Sequence, residues 1–184
     1  MKNLYKNEQS GRSMVEMLGV LAIIGVLSVG GISGYSKAMA KYKLTKAQDQ
    51  MAMILINIRT AFASAPSYNG LTNKNAVLMN IIPGDMLPSG IGVGSTVKNA
   101  FGGNVTLAAT NNNTQFTIKF DGLGKEACAS LGSSDWGSDG LVSVKISDAA
   151  AQAYGTDVLP IPPTTAITQC SKAGAANSIT WTYY

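Results

Sequence analysis

The sequence lacks the residues on which most enzyme and metal sites depend. It contains no histidine, which excludes histidine-based acid–base catalysis, Ser-His-Asp and Cys-His nucleophilic sites, and most zinc sites. Its two cysteines, Cys128 and Cys170, are too far apart for a CxxC redox or metal motif. We therefore expect no enzymatic activity, no cofactor and no metal site.

Charged residues are also scarce, at 13% of the chain. Gly, Ser, Thr and Asn are abundant instead, a balance that is common in exported proteins. An even number of cysteines favours one structural disulfide, which forms in an oxidising compartment and so also indicates export. The length of 184 residues suits one core with an accessory segment, and no internal repeat is apparent.

Basic residues exceed acidic ones, 14 against 10, but they form no continuous run. The densest group is Lys37, Lys41, Lys43 and Lys46, which follows the most apolar part of the chain. A dedicated nucleic-acid surface is one interpretation of such a group. A helix segment that faces solvent and lipid head groups explains it better, so we predict no specific nucleic-acid partner.

The most apolar part of the chain is residues 17–36, which contain no charged side chain. As a helix with a rise of about 1.5 Å per residue, this stretch spans roughly 30 Å, the hydrocarbon thickness of a bilayer. Lys2, Lys6 and Arg12 precede it. A short basic segment ahead of an apolar one normally stays in the cytoplasm, so the remainder of the chain is expected on the far side of the membrane.

Three interpretations of this N-terminal segment compete. The first is a conventional secretory signal, for which Ala38-Met39-Ala40 offers an A-x-A-like cleavage site. However, the apolar run is longer than the usual signal core, and Lys37 lies in the cleavage region. The second is a simple membrane anchor. That interpretation leaves Glu16 unexplained, because a carboxylate at the edge of an apolar span is costly without a partner.

The third interpretation is a resemblance to type IV pilin precursors. Their processing site is a Gly followed by a hydrophobic stretch with Glu at the fifth mature position, and Gly11-Arg12-Ser13-Met14-Val15-Glu16 has this spacing. The resemblance continues through residues 17–43. It implies that a prepilin peptidase cuts between Gly11 and Arg12 on the cytoplasmic side and methylates the new amine of Arg12. Arg12 departs from the family, whose first mature residue is usually Phe, Met or another apolar residue.

The resemblance also implies roles for Glu16 and for the helix glycines. A carboxylate buried among packed apolar helices requires a partner, and in the family this glutamate attracts the N-terminal amine of a neighbouring subunit. Gly30 and Gly31 lie in residues 28–34, where each interior glycine weakens a helix by about 1 kcal/mol. We predict that the helix unwinds there on assembly.

After residue 36 the pattern changes from uniformly apolar to amphipathic. Apolar residues recur at spacings of three and four, which is typical of a helix with one buried face: Leu44, Ala47, Met51, Ile54, Leu55, Ile58 and Phe62. Solvent exposure is predicted for Lys41, Lys46, Asp49 and Arg59. Ser64-Ala65-Pro66 should end the helix, which we expect over residues 14–63.

The remaining residues, 65–184, are predicted to form one head domain. An Asn-rich turn at residues 111–113 joins predicted strands at 104–109 and 115–120. Alternating apolar residues mark two further strands: Val142, Val144 and Ile146, then Ile179, Trp181 and Tyr183 in a C-terminal strand that inserts into the sheet. The predicted fold class is α+β, a type IV pilin fold in which a long N-terminal helix packs on an antiparallel sheet.

Prolines and glycines at residues 83–94 predict a loop-rich connection between helix and sheet. The predicted disulfide bounds residues 128–170. In the family, this region and the connection after the long helix form the variable parts of the pilus surface. An acidic cluster at residues 133–139 lacks the spacing of an EF-hand, so a solvated loop is predicted. The Gly102-Gly103 pair is interpreted as a tight turn, since no phosphate-binding pattern surrounds it.

The predicted organisation is a leader peptide (1–11), a long helix (12–64) and the head. Residues 12–36 of the helix belong to the membrane or filament core, and residues 37–64 pack on the head. We predict a type IVb-like major pilin that polymerises into a surface filament for adhesion, aggregation or conjugation. The alternatives are a type II secretion pseudopilin and an exported adhesin or binding module anchored by an uncleaved helix.

Several partners follow from the resemblance. They are further copies of the chain in a helical filament, a prepilin peptidase, an assembly platform in the inner membrane, and a receptor on a host or recipient cell. The resemblance also implies two locations. Before assembly the protein lies in the inner membrane with a periplasmic head, and afterwards it lies in an extracellular pilus on the cell surface.

Overall fold

The computed structural model describes residues 9–88 and 96–184, with side chains of the first helix described from residue 14 onward. Most of the predicted leader, residues 1–8, therefore lies outside the described residues, as do residues 89–95 of the predicted loop-rich connection. The chain divides into two compact units, Met1–Lys41 and Tyr42–Tyr184.

Helix α1 runs from Gln9 to Ala61. It begins earlier than predicted because a single interior glycine, Gly11, costs only about 1 kcal/mol and does not stop a helix. It also ends earlier than predicted. Beyond Ala61 the hydrogen bonds tighten to a spacing of three residues, as in the 3.0 Å bond from Ala65 N to Phe62 O, so the helix has ended before Pro66 is reached.

The described residues of the second unit contain one five-stranded antiparallel sheet. Its strands are β1 (Val105–Thr110), β2 (Gln115–Leu123), β3 (Leu141–Ile146), β4 (Gln152–Ala153) and β5 (Asn177–Tyr183). Their spatial order is β1-β2-β5-β3-β4. The last strand in the chain therefore lies in the middle of the sheet and pairs with both β2 and β3, which confirms the predicted insertion of the C-terminal strand.

The hairpin between β1 and β2 confirms the predicted Asn-rich turn. Thr110 pairs with Gln115 at the end of the ladder, and the three asparagines between them have φ angles of +49°, +54° and +64°. Asparagine tolerates this left-handed backbone better than most residues because its short polar side chain can bond locally. Three consecutive asparagines thus suit a turn that three ordinary side chains would strain.

The core of the second unit lies between α1 and one face of the sheet. The fully buried residues of α1 are Ala47, Met51, Ile54 and Ile58, and Leu44, Leu55 and Phe62 pack partly buried beside them. Alternate side chains of the strands face them: Phe116, Ile118 and Phe120 from β2, and Ile179, Trp181 and Tyr183 from β5. The predicted apolar stripe and the predicted core role of these aromatic residues are both confirmed.

Three short helices surround this core, and none was predicted. They are α2 (Asn73–Leu78), α3 (Lys125–Gly132) and α4 (Pro163–Gln169). A single 3-10 turn, Gly84–Met86, lies in the segment predicted to be loop. Helix α2 begins where the Thr72 hydroxyl accepts a bond from Asn75 N, an N-cap that satisfies one free helix amide.

The Asn73 side chain bonds to the outer edge of β1, beside backbone contacts from Thr72 and Val97. Asn73 Nδ2 donates to Val105 O at 2.6 Å, and Leu107 N donates to Asn73 Oδ1 at 2.7 Å. The Asn73 amide thus makes the two hydrogen bonds that a neighbouring strand would make. An exposed edge strand invites pairing with another chain, and this contact closes part of that edge.

Candidate functional site

The first part of α1 presents an apolar surface on all sides. Every side chain from residue 14 to residue 38 is exposed. The large apolar residues there are each more than half exposed: Met14, Val15, Met17, Leu18, Val20, Leu21, Ile23, Ile24, Val26, Leu27, Val29, Ile32 and Tyr35. Soluble monomers rarely expose apolar patches larger than a few hundred Å². This surface must therefore be covered by lipid or by other protein chains.

Within the described residues, one helix is long and apolar enough to cross a membrane, Met14–Ala61. Its most apolar stretch is not buried within the molecule, which distinguishes it from the core helix of a soluble protein. A helix satisfies its own backbone hydrogen bonds, so this segment can enter hydrocarbon without exposing polar groups.

Glu16 is the only charged side chain in this surface between residues 14 and 36. It is exposed, and its neighbours Val15 and Met17 are exposed and apolar. No ion pair holds it among the side chains that the structure describes. Its carboxylate is therefore hydrated in the isolated subunit, and it would lose that hydration if apolar helices packed around it.

Gly11 and Arg12 both lie in the first turn of α1, but their side-chain surroundings are outside the described residues. Arg12 precedes Glu16 by four residues, which on a helix is one turn along the same face. The predicted cleavage and methylation at these two residues are enzymatic steps, and the structure of one subunit does not test them. Both remain predictions.

Gly30 and Gly31 lie inside an unbroken stretch of α1. A Cβ built at either position would meet nothing within 4 Å, and the same holds for Gly19, Gly25 and Gly34. Packing within the subunit therefore does not require these glycines. Small residues allow helices to approach closely in an apolar bundle, and these positions are free for such contacts with other chains. The predicted unwinding concerns the assembled state and stays a prediction.

Lys46 was predicted to face solvent, but it forms an ion pair. Its Nζ lies 3.1 Å from Asp85 Oδ2 in the 3-10 turn, and this hydrogen bond and charge raise the pKa of Lys46. Gln50 Nε2 donates to the same oxygen at 2.8 Å. Burial raises the pKa of Asp85, but the bonds from Gln50 and Lys46 outweigh it, so the pKa lies below its usual value. These contacts fasten the connection after α2 to α1.

Gln50 has a structural role that was not predicted from the sequence. It is 3% exposed, and its Oε1 accepts a bond from Ala100 N at 2.9 Å, so one amide joins α1 to Asp85 and to the segment before β1. A signal was present, because Gln50 is a polar residue on the apolar stripe, three residues after Ala47 and four before Ile54. A buried polar side chain needs partners, and these are its partners.

Arg59 also differs from its prediction as a solvated residue. Its guanidinium lies 5.5 Å above the ring of Tyr183 and bonds to the backbone oxygen of Asp139, with the Asp139 carboxylate 3.6 Å away. Burial raises the pKa of Tyr183 to about 12, and the positive charge of Arg59 offsets this only in part. Arg59 thus links α1 to β5 and to the loop before β3.

Lys41 and Asp49 are exposed, as predicted.

Cys128 in α3 and Cys170 at the end of α4 form a disulfide, with their Cα atoms 5.9 Å apart. Both cysteines are buried. The bond therefore closes a region that contains α3, β3, β4 and α4. The predicted solvated loop at residues 133–139 lies in this region, where Asp135 Oδ1 accepts a bond from Gly137 N at 2.9 Å.

A family model described as PilS N terminal matches residues 41–184. The chain is 26% identical over 192 residues to the major structural subunit of bundle-forming pilus of Escherichia coli O127:H6 (strain E2348/69 / EPEC), and the alignment covers 98% of this chain and 97% of the relative. The protein of the same name from Escherichia coli O111:H- matches with the same identity and coverage.

Two solved structures resemble the chain in fold. TcpA, a type IV pilin from Vibrio cholerae El Tor biotype, matches with a TM-score of 0.55 at 16% identity, covering 78% of this chain and 99% of that chain. A type IV b pilin from Salmonella typhi matches with a TM-score of 0.54 at 18% identity, covering 78% and 98%. These likenesses confirm the predicted fold class.

Proposed function

We propose, from the premise that this chain belongs to the PilS N-terminal family, that it is the structural subunit of a type IV pilus, specifically a type IVb major pilin. The observation that carries the proposal is the apolar surface of residues 14–36, exposed on all sides of α1. In this proposal a membrane covers that surface before assembly, and other copies of the same chain cover it in the filament. The relatives named as bundle-forming pilus subunits support this proposal.

The proposed route has three steps. The chain inserts in the inner membrane with its leader, residues 1–11, in the cytoplasm and its head in the periplasm. A prepilin peptidase then removes the leader after Gly11 and methylates Arg12. An assembly platform finally moves the subunit into a filament on the cell surface, where the heads can meet a receptor. In this route the protein acts by polymerising, and it catalyses no reaction.

Assembly repeats one contact along the fibre. A contact between two different patches of identical subunits generates an open helical filament when its rotation does not close a ring. Residues 12–36 form the filament core in this proposal. The second part of α1 is an integral core element of the head through Ala47, Met51, Ile54 and Ile58, so each added helix carries a head with it.

Glu16 supplies the register in this proposal. Moving an ionised carboxylate into an apolar interior costs several kcal/mol unless a partner compensates. The new N-terminal amine of a neighbouring subunit is a positive group at the correct end of the helix, and the Arg12 guanidinium is a second. A helix that docked in another register would leave Glu16 buried without either partner.

The first test is the chemistry of the mature N-terminus. Mass spectrometry of the purified protein should show a chain that begins at a methylated Arg12. An intact Met1, or a chain cut after Ala40, would contradict the proposal and favour an anchored module or a secretory signal. Electron microscopy of sheared surface material should then show long fibres. A short periplasmic assembly without surface fibres would indicate a pseudopilin.

The second test separates membrane insertion from assembly. Glu16→Gln keeps the side-chain shape but removes the charge, so the variant should be exported and extracted with membranes while yielding few or no fibres. Asp49→Asn is the matched control, because Asp49 is an exposed carboxylate on the same helix in the second unit. Normal fibres from Glu16→Gln and from Glu16→Ala would refute the assigned role.

The third test concerns Gly30 and Gly31. Replacing both with alanine strengthens the helix by about 2 kcal/mol without a clash inside the subunit. If residues 28–34 must unwind, the double variant should assemble poorly while its head stays folded. A filament map of the unsubstituted protein with a continuous helix through these glycines would contradict the unwinding.

A further inference from the structure

Two lysines lie directly after the apolar surface of α1. Lys37 and Lys41 are both exposed, and because they are four residues apart they lie one turn from each other on the same face of the helix. Ser33 is exposed on this face one turn earlier, within the uncharged residues 17–36. The face therefore changes from uncharged to positive within a single turn.

The charge of this lysine pair is not balanced within the subunit. Like charges at a spacing of four residues destabilise a helix. The chain has no Asp or Glu between Glu16 and Asp49, so the neighbouring turns supply no counter-charge. The ion pairs among the residues that the structure describes involve neither Lys37 nor Lys41. An anionic group from outside the subunit would remove the repulsion between them.

The depth of the lysine pair in a membrane follows from the length of the helix. Glu16 and Lys37 are 21 residues apart, which at about 1.5 Å per residue is roughly 32 Å and matches the hydrocarbon thickness of about 30 Å. Lys41 lies about 6 Å further along the axis. The head-group layer on each side is about 5–8 Å thick. When residues 17–36 span the hydrocarbon, both lysines therefore lie at the level of the lipid phosphates.

We propose that Lys37 and Lys41 together bind the head group of an anionic phospholipid such as phosphatidylglycerol, whose acyl chain lies along the helix past Ser33. The Cβ atoms of residues at this spacing are about 5–6 Å apart, so both ammonium groups can donate to one phosphate. Such charge-assisted hydrogen bonds are roughly twice as strong as neutral ones. Tyr35, which is 67% exposed, is the kind of aromatic residue found at this boundary of a bilayer.

A nucleic acid fits the lysine pair less well than a lipid does. The apolar surface adjoins Lys37 directly, and a membrane that covers this surface also brings its own phosphates to the lysines. A nucleic-acid duplex would have to approach through the same head-group layer. The position of the pair at the end of an apolar span, more than its charge, therefore favours a lipid.

This inference deepens the proposed function, because it names the lipid beside the subunit before assembly, and its biological use rests on that proposal. The bound lipid would hold the subunit at one depth in the outer leaflet of the inner membrane. Entry into a filament would remove these contacts, so anionic lipid would favour the membrane pool over the fibre. Lipid preference is measured on unassembled chains. It can therefore fail while fibres form, or be present while none forms.

The test measures which lipid lies beside residue 33. Ser33→Trp places an indole one turn below the lysine pair, where a brominated acyl chain would quench its fluorescence. The full chain is reconstituted in phosphatidylcholine vesicles that contain increasing fractions of brominated phosphatidylglycerol or brominated phosphatidylcholine. Trp136 and Trp181 also fluoresce, so their signal is measured on the chain with Ser33 intact and subtracted. The reporter is local, so basic residues at the other end of the span do not contribute.

Quenching should favour brominated phosphatidylglycerol about fivefold or more, since one lysine near a charged membrane surface supplies about this factor. The preference should fall when the ionic strength rises from about 0.01 M to about 1 M, because screening shortens the range of the attraction. Replacing both Lys37 and Lys41 with glutamine should remove the preference. Replacing both with arginine should retain it, because the charge is kept.

Lys74→Gln combined with Lys125→Gln is the matched control, because it removes two charges from exposed lysines of the second unit. All these substitutions are at exposed positions, and circular dichroism checks that each variant is folded. The inference is overturned if the chain with both Lys37 and Lys41 shows no preference for phosphatidylglycerol, if the glutamine variant keeps the preference, or if the control loses it equally. Displacement of the brominated lipid by a short DNA duplex would also overturn it, in favour of a nucleic-acid surface.

Discussion

Replacing Gly103 with alanine tests a close backbone contact in the head, between Gly103 and Asp121. An added Cβ would overlap the carbonyl oxygen of Asp121 and would lie 2.5 Å from Asp121 C and 2.8 Å from Gly122 Cα. Backbone atoms cannot rotate away as the end of a side chain can. The two segments must therefore separate.

The cost follows from what that separation breaks. Asp121 O accepts a bond from Asn99 Nδ2 at 2.8 Å, and Asn99 is only 4% exposed. Overpacking costs about 1–3 kcal/mol, and leaving a buried amide without its partner costs about 1 kcal/mol or more. We expect Gly103→Ala to lower the free energy of unfolding by about 3 kcal/mol. That is a large fraction of the roughly 5–15 kcal/mol typical of a domain.

Gly102 provides the matched control. It has a φ of +84°, but a Cβ there would meet nothing within 4 Å, so Gly102→Ala should cost only the left-handed backbone penalty of about 1–2 kcal/mol. Urea unfolding of both variants, followed by tryptophan fluorescence, measures the difference. Equal losses for the two variants, or a loss below about 1 kcal/mol for Gly103→Ala, would refute the reasoning.

Three further predictions concern other contacts. Replacing Cys128 and Cys170 with alanine opens a loop with a sequence separation of 42 and should lower the free energy of unfolding by about 4 kcal/mol in the chain-entropy model; unchanged urea unfolding would contradict this. Asp85 has a lowered pKa, so its stabilisation is present above its unfolded pKa of about 3.9 and is lost as pH falls through the folded value. The stability difference between wild type and Asp85→Asn should shrink as pH falls below that unfolded value, whereas a constant difference from pH 6 to pH 2 would exclude the charge as its cause. Asn73→Ala should cost about 2 kcal/mol by releasing two backbone bonds of β1, measured as a urea midpoint shift relative to Lys74→Ala, and equal midpoints would show that water replaces the amide.

Elements that depend on a pattern of residues close together in the chain could be predicted from the sequence. The apolar stripe of α1 repeats over about five turns, so the buried face could be read from Ala47 to Ile58 with no knowledge of its partner. The Asn-rich hairpin and the alternation of Ile179, Trp181 and Tyr183 are equally local. The C-terminal strand was also predicted to insert into the sheet, and β5 does have a neighbouring strand on each edge.

Contacts between distant residues could not be predicted in the same way. Lys46 and Arg59 were expected in solvent because charged side chains on a helix usually lie there. Their partners, Asp85 and Asp139, are 39 and 80 residues away in the chain. The close approach of Gly103 to Asp121 is another contact of this kind, since a glycine pair by itself indicates only a turn.

The short helices contain too few residues for a helical spacing of apolar residues to be recognised. Helices α2, α3 and α4 have six, eight and seven residues, and isolated helices of that length are unstable in water. They form because the core and the disulfide hold them. Two local signals were present, the cap of α2 at Thr72 and the proline that begins α4, Pro163, but such residues are also common in turns.

The central position of β5 has a consequence for the order of events during export. In the proposed route the chain crosses the membrane from its N-terminal end, so the residues of β5, Asn177–Tyr183, arrive last. Until then β1 and β2 can form a hairpin, but β2 and β3 have no common neighbour and the sheet remains in two halves. A subunit truncated near its C-terminus therefore cannot complete the sheet, however intact its helix. In that route, the sheet is completed only when the whole chain has been delivered.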